Sequence, residues 1–300
     1  MTTRRDFLRT LGGGAAAALL PLPNVNPLSA DGIKYGYAAI TWGGHDEQAI
    51  EEISAVGFPG IQLRAGVLSR FGDRPRELRD LLARHRLTFV ALSSGNVSID
   101  PALESRMIDE HVSHAKFLRD AGGLYLQLID ERPKGREVTS GDHERLGRLM
   151  TEIGKRTADL GIPLAYHPHM GSMGEKPADI ERILAASDPR YVRLLLDVAH
   201  YREGGGDPVA AVRQHADRLL FLHIKDVRHG STAGAAYQFV ELGRGSVDLP
   251  AVFAALRDVR FNGWAVVELD AVPDKGGTAK ESAEISKRYL QDVVGADLRR

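Results

Sequence analysis

The sequence predicts a single-domain (β/α)8 TIM barrel, in which eight parallel strands alternate with eight helices. Short runs rich in Val, Ile, Leu, Tyr and Phe alternate with segments whose apolar residues recur every three to four positions. Eight such repeats in about 270 residues match the usual size of this barrel. A doubly wound sheet is the alternative, but the loop Thr41-Trp42-Gly43-Gly44-His45 lacks the glycine fingerprint typical of that fold.

The eight strands are predicted from apolar runs of four to ten residues. They are Ile33–Trp42, Gly60–Arg64, Thr88–Ser93, Leu124–Ile129, Pro163–His167, Val192–Asp197, Leu219–Ile224 and Gly263–Glu268. Each run is followed by a stretch long enough for one helix, and no linker divides the series.

The segments between the strands have helical spacing. Ile50, Ile53 and Val56, for example, fall on one face of a helix. Three of these segments end at glycine, at Gly57, Gly122 and Gly161. Glycine at that place is typical of a helix end that leads into the next strand. Lys280–Val294 supplies the eighth helix.

Residues 1–30 are predicted to be a twin-arginine export signal, which leaves residues 31–300 for the barrel. Arg4 and Arg5 precede a Phe-Leu step, and 11–20 is an uncharged stretch too short to span a bilayer. Prolines follow, and Leu28-Ser29-Ala30 offers small residues for cleavage. The alternative is an N-terminal tail that carries two arginines by chance. The signal implies a periplasmic protein that is not held in the membrane once the signal is removed.

Composition narrows the chemistry. The chain has 39 Lys and Arg against 40 Asp and Glu, so it lacks the basic excess of a nucleic-acid-binding protein. It contains no cysteine. Disulfides, thiolate zinc sites, iron–sulfur clusters and cysteine nucleophiles are therefore excluded. Any metal must be bound by His, Asp and Glu.

Candidate ligands of this kind end the last four predicted strands. Strand five carries His167 and His169, and strands six to eight carry Asp197, His223 and Glu268. The carboxyl ends of barrel strands meet at one rim, which is where such barrels hold their active sites. We therefore expect one divalent metal there. An oxygen and nitrogen donor set favours Mn²⁺ or Co²⁺ and is also compatible with Mg²⁺, Fe²⁺ or Zn²⁺.

Each of these residues also has a purely structural interpretation. The alternatives are a helix cap for Asp197, a hydrogen-bonded core position for His223, a salt bridge from Glu268 to Lys225 or Arg228, and an exposed loop for His167 and His169. A metal site accounts for all of them together, because carboxylate and imidazole groups converge from neighbouring strands.

Three segments carry a resemblance to a known family. Leu196-Asp197-Val198-Ala199-His200, His223-Ile224-Lys225-Asp226 and Val267-Glu268 resemble the last strands of the xylose-isomerase-like barrels. That family comprises sugar isomerases, ketose 3-epimerases, inosose dehydratases and endonuclease IV-type enzymes. The stretch Ala165-Tyr166-His167-Pro168-His169-Met170-Gly171 makes the chain most similar to the inosose dehydratases.

The resemblance implies a ligand set. Family members bind one divalent metal through Glu, Asp, His and Glu, and Asp197, His223 and Glu268 match the last three. Where the epimerases have glutamate at the end of strand five, this chain has His167. That departure leaves the fourth ligand open between His167 and His169.

The implied reaction is removal of a proton next to a carbonyl of a keto-sugar or keto-cyclitol. A metal stabilises the charge that develops, and Glu268 is the candidate base or metal-anchored carboxylate. His200 or His169 is the candidate acid. By resemblance His200 and Arg228 line the substrate pocket. A site with one glutamate and several imidazoles is asymmetric, which favours β-elimination.

Two further substrate contacts are predicted from position. Trp42 and Lys225 lie at strand ends, where an indole ring can stack on a sugar and an ammonium group can bind a hydroxyl. The expected partner is a small carbohydrate, and nucleic acid is not expected.

The alternatives to this function are a sugar 3-epimerase or isomerase, a non-catalytic sugar-binding barrel, a DNA-repair endonuclease and a phosphosugar isomerase. The charge balance opposes the endonuclease. A phosphosugar enzyme needs a phosphate-binding loop, and Gly243-Arg244-Gly245 is interpreted as a plain turn. An unphosphorylated substrate is therefore expected.

Overall fold

Eight parallel strands form a closed barrel, which confirms the predicted fold class. The first strand, β1 (Lys34–Ala38), pairs on one side with β2 (Gly60–Arg64) and on the other with β10 (Trp264–Val267). Tyr35 lies opposite Ala265 at this closure. The computed structural model describes residues 32–230 and 236–298, and the predicted export signal lies outside them.

The remaining elements follow in strict alternation. The other barrel strands are β3 (Thr88–Val97), β4 (Tyr125–Asp130), β5 (Leu164–Tyr166), β6 (Val192–Asp197) and β7 (Leu219–Ile224). The helices that link the barrel strands are α1 (Asp46–Val56), α3 (Pro75–Arg84), α4 (Glu104–Asp120), α5 (Ser140–Ala158), α6 (Pro177–Ala185), α8 (Pro208–Gln214), α9 (Leu249–Asp258) and α10 (Ala279–Tyr289). Two short helices, α2 (Leu68–Phe71) and α7 (Val198–Glu203), and one hairpin, β8 (Asp226–His229) with β9 (Tyr237–Val240), are added to them.

The predicted glycine stops are confirmed. Gly57, Gly122 and Gly161 have φ of 95°, 77° and 76°, the left-handed region in which a side chain is strained. At Gly57 the backbone N–H donates to the carbonyl oxygens of Ile53 and Ser54, which closes the last turn of α1. The chain can then turn directly into β2.

An apolar layer fills the barrel interior on the side away from the carboxyl ends of the strands. Ala165, Leu195, Phe221 and Val266 are fully buried and belong to one cluster. The Phe221 ring stacks on that of Tyr125, with their centroids 5.5 Å apart. Because alternate residues of a strand share a face, the residue two positions further along each strand lies in the next layer up.

Several local features differ from the prediction. The third strand, β3, continues to Val97 instead of ending at Ser93. The first strand ends at Ala38, and Ala39–Trp42 forms a 3₁₀ turn instead of continuing the strand. The hairpin of β8 and β9 was not expected, and it lies between β7 and α9. None of the helices within residues 32–230 and 236–298 has the length and apolar character to cross a bilayer.

Candidate metal and substrate site

The layer above the apolar cluster is polar. Each candidate ligand comes two residues after a member of the apolar cluster, within the same strand or just beyond its end. The pairs are His167 after Ala165, Asp197 after Leu195, His223 after Phe221 and Glu268 after Val266. All four side chains are buried. The strand register therefore brings the four predicted ligands into one place.

Asp197 has two roles, one for each carboxylate oxygen. Oδ1 accepts hydrogen bonds from the backbone N–H groups of Ala199 and His200, at 2.9 Å each, and so caps α7. Oδ2 is buried and has no hydrogen-bond partner among the described residues. It lies 3.6 Å from Nδ1 of His223. The helix cap and the candidate ligand are thus one side chain.

His223 is held from both sides of its ring. Nε2 lies 2.9 Å from Oε1 of Gln62, and Gln62 in turn donates from Nε2 to Oε1 of Gln127, also at 2.9 Å. Nδ1 faces the carboxylates and lies 3.4 Å from Oε2 of Glu268. Nε2 is therefore hydrogen-bonded inside the core, as the structural alternative for this residue predicted. Nδ1 points into the polar cluster.

Two further histidines, His169 and His200, lie beside the four predicted ligands. His167, Asp197, His200 and Glu268 each place one ligand atom within 4.8 Å of the others. His169 groups only with His167 and His200, and its Nδ1 donates to the carbonyl oxygen of Met170 at 2.8 Å. This grouping favours His167 over His169 as the fourth ligand. It contains His200 and not His223, whose place beside the carboxylates rests on the distances of 3.6 and 3.4 Å from its Nδ1.

Lys225 places a positive charge against the carboxylates. Its Nζ lies 3.0 Å from Oε1 of Glu268, 2.6 Å from Oδ1 of Asp270 and 3.9 Å from Oδ2 of Asp197. The ammonium group also lies 4.1 Å from the ring centroid of Phe239, on β9. The predicted salt bridge between Glu268 and Lys225 is present in addition to the cluster.

These charges keep the carboxylates ionised. Burial by itself raises the pKa of Asp197, but His200 and Lys225 outweigh it and hold the pKa below its usual range. Burial likewise opposes ionisation of Glu268, and His223 and Lys225 hold its pKa well below the usual value. Burial also lowers the pKa of His223, yet the two carboxylates raise it to about 9. The two ionised carboxylates therefore make this site favourable for a positively charged group.

The donor set fits a divalent cation. Three buried atoms without a hydrogen-bond partner in the described chain, Asp197 Oδ2, His223 Nδ1 and His167 Nδ1, come from residues that meet at this point. Buried polar atoms are normally paired, because an unpaired one costs about 1–3 kcal/mol. A cation bound by the carboxylates and by imidazole would satisfy several of them at once.

A cavity of about 880 Å³ opens onto the cluster. His167, His169, Glu268 and Asp270 line its floor. The remaining polar lining comes largely from the β1 to β4 side: His45, Asp46, Gln62, Arg64, Arg70, Ser93, Asn96 and Gln127. The volume lies within the range of about 300–1,000 Å³ that is usual for small-molecule sites.

The sequence profile described as xylose isomerase-like TIM barrel matches residues 50–289. The chain belongs to this family. The Rhizobium meliloti protein named "Rhizopine catabolism protein MocC" is 30% identical over 284 residues, which cover 81% of this chain and 83% of that protein. A protein of Lacticaseibacillus casei named "Inosose dehydratase" is 27% identical over 300 residues, with 87% and 97% covered.

Solved structures of low sequence identity share the xylose isomerase-like barrel. The protein titled "IOLI protein with a binding zinc atom" has a TM-score of 0.75 and 19% identity, with 87% of this chain and 98% of that chain covered. The structure titled "L-ribulose 3-epimerase" has a TM-score of 0.70 and 17% identity, with 86% and 93% covered. At these identities the likeness concerns the fold alone.

The predicted substrate contacts lie outside the lining of this cavity. The described residues that line the cavity do not include Trp42, His200, Lys225 or Arg228. Trp42 is 5% exposed, and its indole N–H donates to Glu52, because the 3₁₀ turn places it in the core.

The side chains of Lys225, Arg228 and His200 contact other residues of the chain. Lys225 is fully buried against the carboxylates. Arg228 lies on the exposed hairpin and donates to Gln238 at 3.1 Å. His200 is 3% exposed, and its Nε2 lies 3.8 Å from Oδ2 of Asp197, because it is one helical turn beyond that residue. Its imidazole therefore belongs to the buried cluster.

Several site residues were not assigned a role from the sequence. Gln62 and Gln127 are 3% and 2% exposed, and each interrupts an otherwise apolar strand, which is the signal that could have found them. Arg64 and Asn96 line the cavity at strand ends.

The backbone N–H groups of Gly243 and Gly245 donate to the Asp226 carboxylate at 3.0 and 2.9 Å. They are thus occupied within the chain and do not offer a phosphate site.

Proposed function

We propose that this chain is a divalent-metal-dependent enzyme that acts on an unphosphorylated keto-sugar or keto-cyclitol by removing a proton next to the carbonyl. The observation that carries this proposal is the buried cluster of Asp197, His223, Glu268 and His167, of which His167 and Glu268 line a solvent-connected cavity. Ionised carboxylates and unpaired imidazole nitrogens in one buried layer are the donor set of a metal centre.

The cation would be held by Oδ2 of Asp197, Nδ1 of His223, the carboxylate of Glu268 and the imidazole of His167. When bound, such a cation acts as a Lewis acid that stabilises negative charge on substrate oxygens. Mn²⁺ and Co²⁺ are the first candidates, and Mg²⁺, Fe²⁺ and Zn²⁺ suit the same donors.

The chain's own residues supply the proton transfer. His169 lines the cavity, and because its Nδ1–H donates to a carbonyl, a neutral ring keeps a lone pair on Nε2. That nitrogen is the candidate group that exchanges a proton with the substrate. Lys225 donates to Oε1 of Glu268 at 3.0 Å, so this carboxylate is anchored at the cavity floor.

Dehydration is the reaction class that we favour. The C–H bond next to the ketone breaks, and its electron pair forms a carbon–carbon double bond. The hydroxyl group on the adjacent carbon then leaves as water after gaining a proton. The asymmetric set of one glutamate and several imidazoles supports this class, as does the similarity to proteins named inosose dehydratase. Sugar 3-epimerisation is the alternative, supported by the fold shared with an L-ribulose 3-epimerase.

The purified chain should catalyse exchange of the α-proton of a keto-cyclitol or ketose into deuterated water, and only after loading with a divalent metal. Proton NMR measures the exchange, and analysis of the product separates the two reaction classes. A dehydratase releases an unsaturated ketone, whereas an epimerase returns an isomer of the same mass. Binding of these compounds to the metal-loaded chain without exchange would show a non-catalytic sugar-binding protein and refute the proposal.

We also propose that residues 1–30 direct export through the twin-arginine pathway, since a paired arginine precedes an uncharged stretch and a small-residue step. Replacing Arg4 and Arg5 by Lys should leave the protein in the cytoplasm with its activity intact. Cell fractionation of the wild type and the double variant measures this. Normal periplasmic delivery of the variant would contradict the assignment.

A further inference from the structure

We propose that Gln62 and Gln127 form a positioning relay that fixes the tautomer and orientation of His223, so that Nδ1 keeps its lone pair toward Asp197 and Glu268. The inference rests on the proposed function insofar as a cation is what this lone pair would bind. Neither glutamine is a candidate ligand, and both act through His223.

The first step of the argument is the hydrogen bond at Nε2 of His223. An imidazole that binds a cation through Nδ1 is neutral and carries one proton, and that proton must then be on Nε2. His223 is fully buried, so an Nε2–H without an acceptor would be costly. Oε1 of Gln62, at 2.9 Å, is that acceptor.

The second step concerns the orientation of Gln62. A carboxamide can turn over and present its NH₂ group in place of its oxygen, and it would then stabilise the wrong tautomer of the histidine. Here the Gln62 NH₂ donates to Oε1 of Gln127 at 2.9 Å. Gln127 therefore keeps the Gln62 oxygen directed at His223.

The third step is where the relay lies. His223 follows Phe221 on β7, Gln62 is on β2 and Gln127 is on β4, so the hydrogen bonds cross the inside of the barrel. Branched apolar side chains normally fill that space. Two buried carboxamides in it cost desolvation, and the N–H of His223 is the group that their arrangement satisfies.

The test compares metal affinity in four proteins. Gln62→Leu has a similar volume but offers no acceptor, and it should weaken Co²⁺ or Zn²⁺ binding by about 10–100-fold, the usual effect of losing an outer partner of a metal-binding histidine. Gln62→Glu keeps an acceptor for Nε2–H and should retain wild-type affinity or bind more tightly. Gln127→Leu removes only the group that orients Gln62 and should weaken binding by less than about 10-fold, and a loss larger than that of Gln62→Leu would contradict the order of the relay. Competition with a chromogenic chelator gives the affinities.

A second readout does not depend on metal. In ¹⁵N NMR, the His223 Nε2–H proton should be protected from exchange in the wild type and in Gln62→Glu, and exposed in Gln62→Leu. Thermal melting of the metal-free variants separates a positioning effect from loss of the fold. The relay is supported only if Gln62→Leu binds metal weakly and melts at nearly the same temperature as the wild type.

The failures are distinguishable. If the wild type binds metal and Gln62→Leu binds it equally well, the relay is refuted and the proposed function stands. If Gln62→Glu loses affinity as much as Gln62→Leu does, acceptance at Nε2 is not the cause, and the relay is again refuted. If the wild type itself binds none of the divalent metals, the proposed function fails, and the metal-directed role of the relay fails with it.

Discussion

Asp197→Asn is expected to abolish retention of a divalent metal while leaving the barrel folded. Asparagine keeps the shape of the side chain, and its carbonyl oxygen can accept the same two N–H groups that Oδ1 accepts at the start of α7. Asparagine is as good a helix cap as aspartate, so stability should change little. The group that replaces Oδ2 is an NH₂ donor without charge, and it cannot bind a cation. The loss should exceed the roughly 10–100-fold that follows removal of an outer partner.

Asp270→Asn is the matched control for this experiment. Asp270 shares Lys225 with the cluster through a 2.6 Å contact, so its replacement also removes a negative charge beside that lysine. It is not one of the four proposed ligands, which are His167, Asp197, His223 and Glu268. We expect this variant to retain metal. Elemental analysis of the purified proteins and circular dichroism measure the two effects, and full metal occupancy in Asp197→Asn would show that the site is wrongly assigned.

The sequence was informative about the barrel because each repeat carries the same local signals. Alternating periodicity and glycine stops such as Gly57 report on backbone geometry within a few residues. The end of β1 was wrong because the apolar run continues through Trp42, although the chain turns after Ala38. The hairpin of β8 and β9 was missed because its short strands lack the two-residue turn that marks a tight hairpin.

The positions of the candidate ligands could be predicted for a related reason. Strand pairing and the two-residue period place Asp197, His223 and Glu268 in one layer once the strands are known. Contacts that depend on side-chain direction after the strand could not be predicted. His200 was predicted to line the substrate pocket, yet α7 begins directly after Asp197, and one helical turn returns the imidazole to the carboxylate. Gln62 and Gln127 each interrupt an apolar strand, but their hydrogen bonds join strands that are not neighbours and so could not be predicted.

The most informative comparison in the site is between two histidines whose rings lie 3.8 Å apart, His169 and His200. His169 lines the cavity, with its Nδ1–H held by the carbonyl of Met170, whereas His200 is buried with Nε2 facing Asp197 and Lys225. His169→Gln should therefore keep its metal and lose turnover by about 10²–10⁴-fold, the usual contribution of a general acid or base. His200→Gln should instead weaken metal binding, because it opens the cluster around Asp197.

The pair of variants decides between two assignments of the proton-transfer group. Metal affinity and the rate of α-proton exchange at saturating metal are measured for both. Loss of exchange with intact metal binding in His169→Gln alone assigns the transfer to the residue that lines the cavity. The opposite pattern, with His200→Gln retaining metal but losing exchange and His169→Gln fully active, would assign the transfer to His200, the other candidate acid predicted from the sequence. The substrate would then have to reach a histidine that is only 3% exposed, which requires the β8 and β9 hairpin that carries Phe239 to move away from Lys225 and His200.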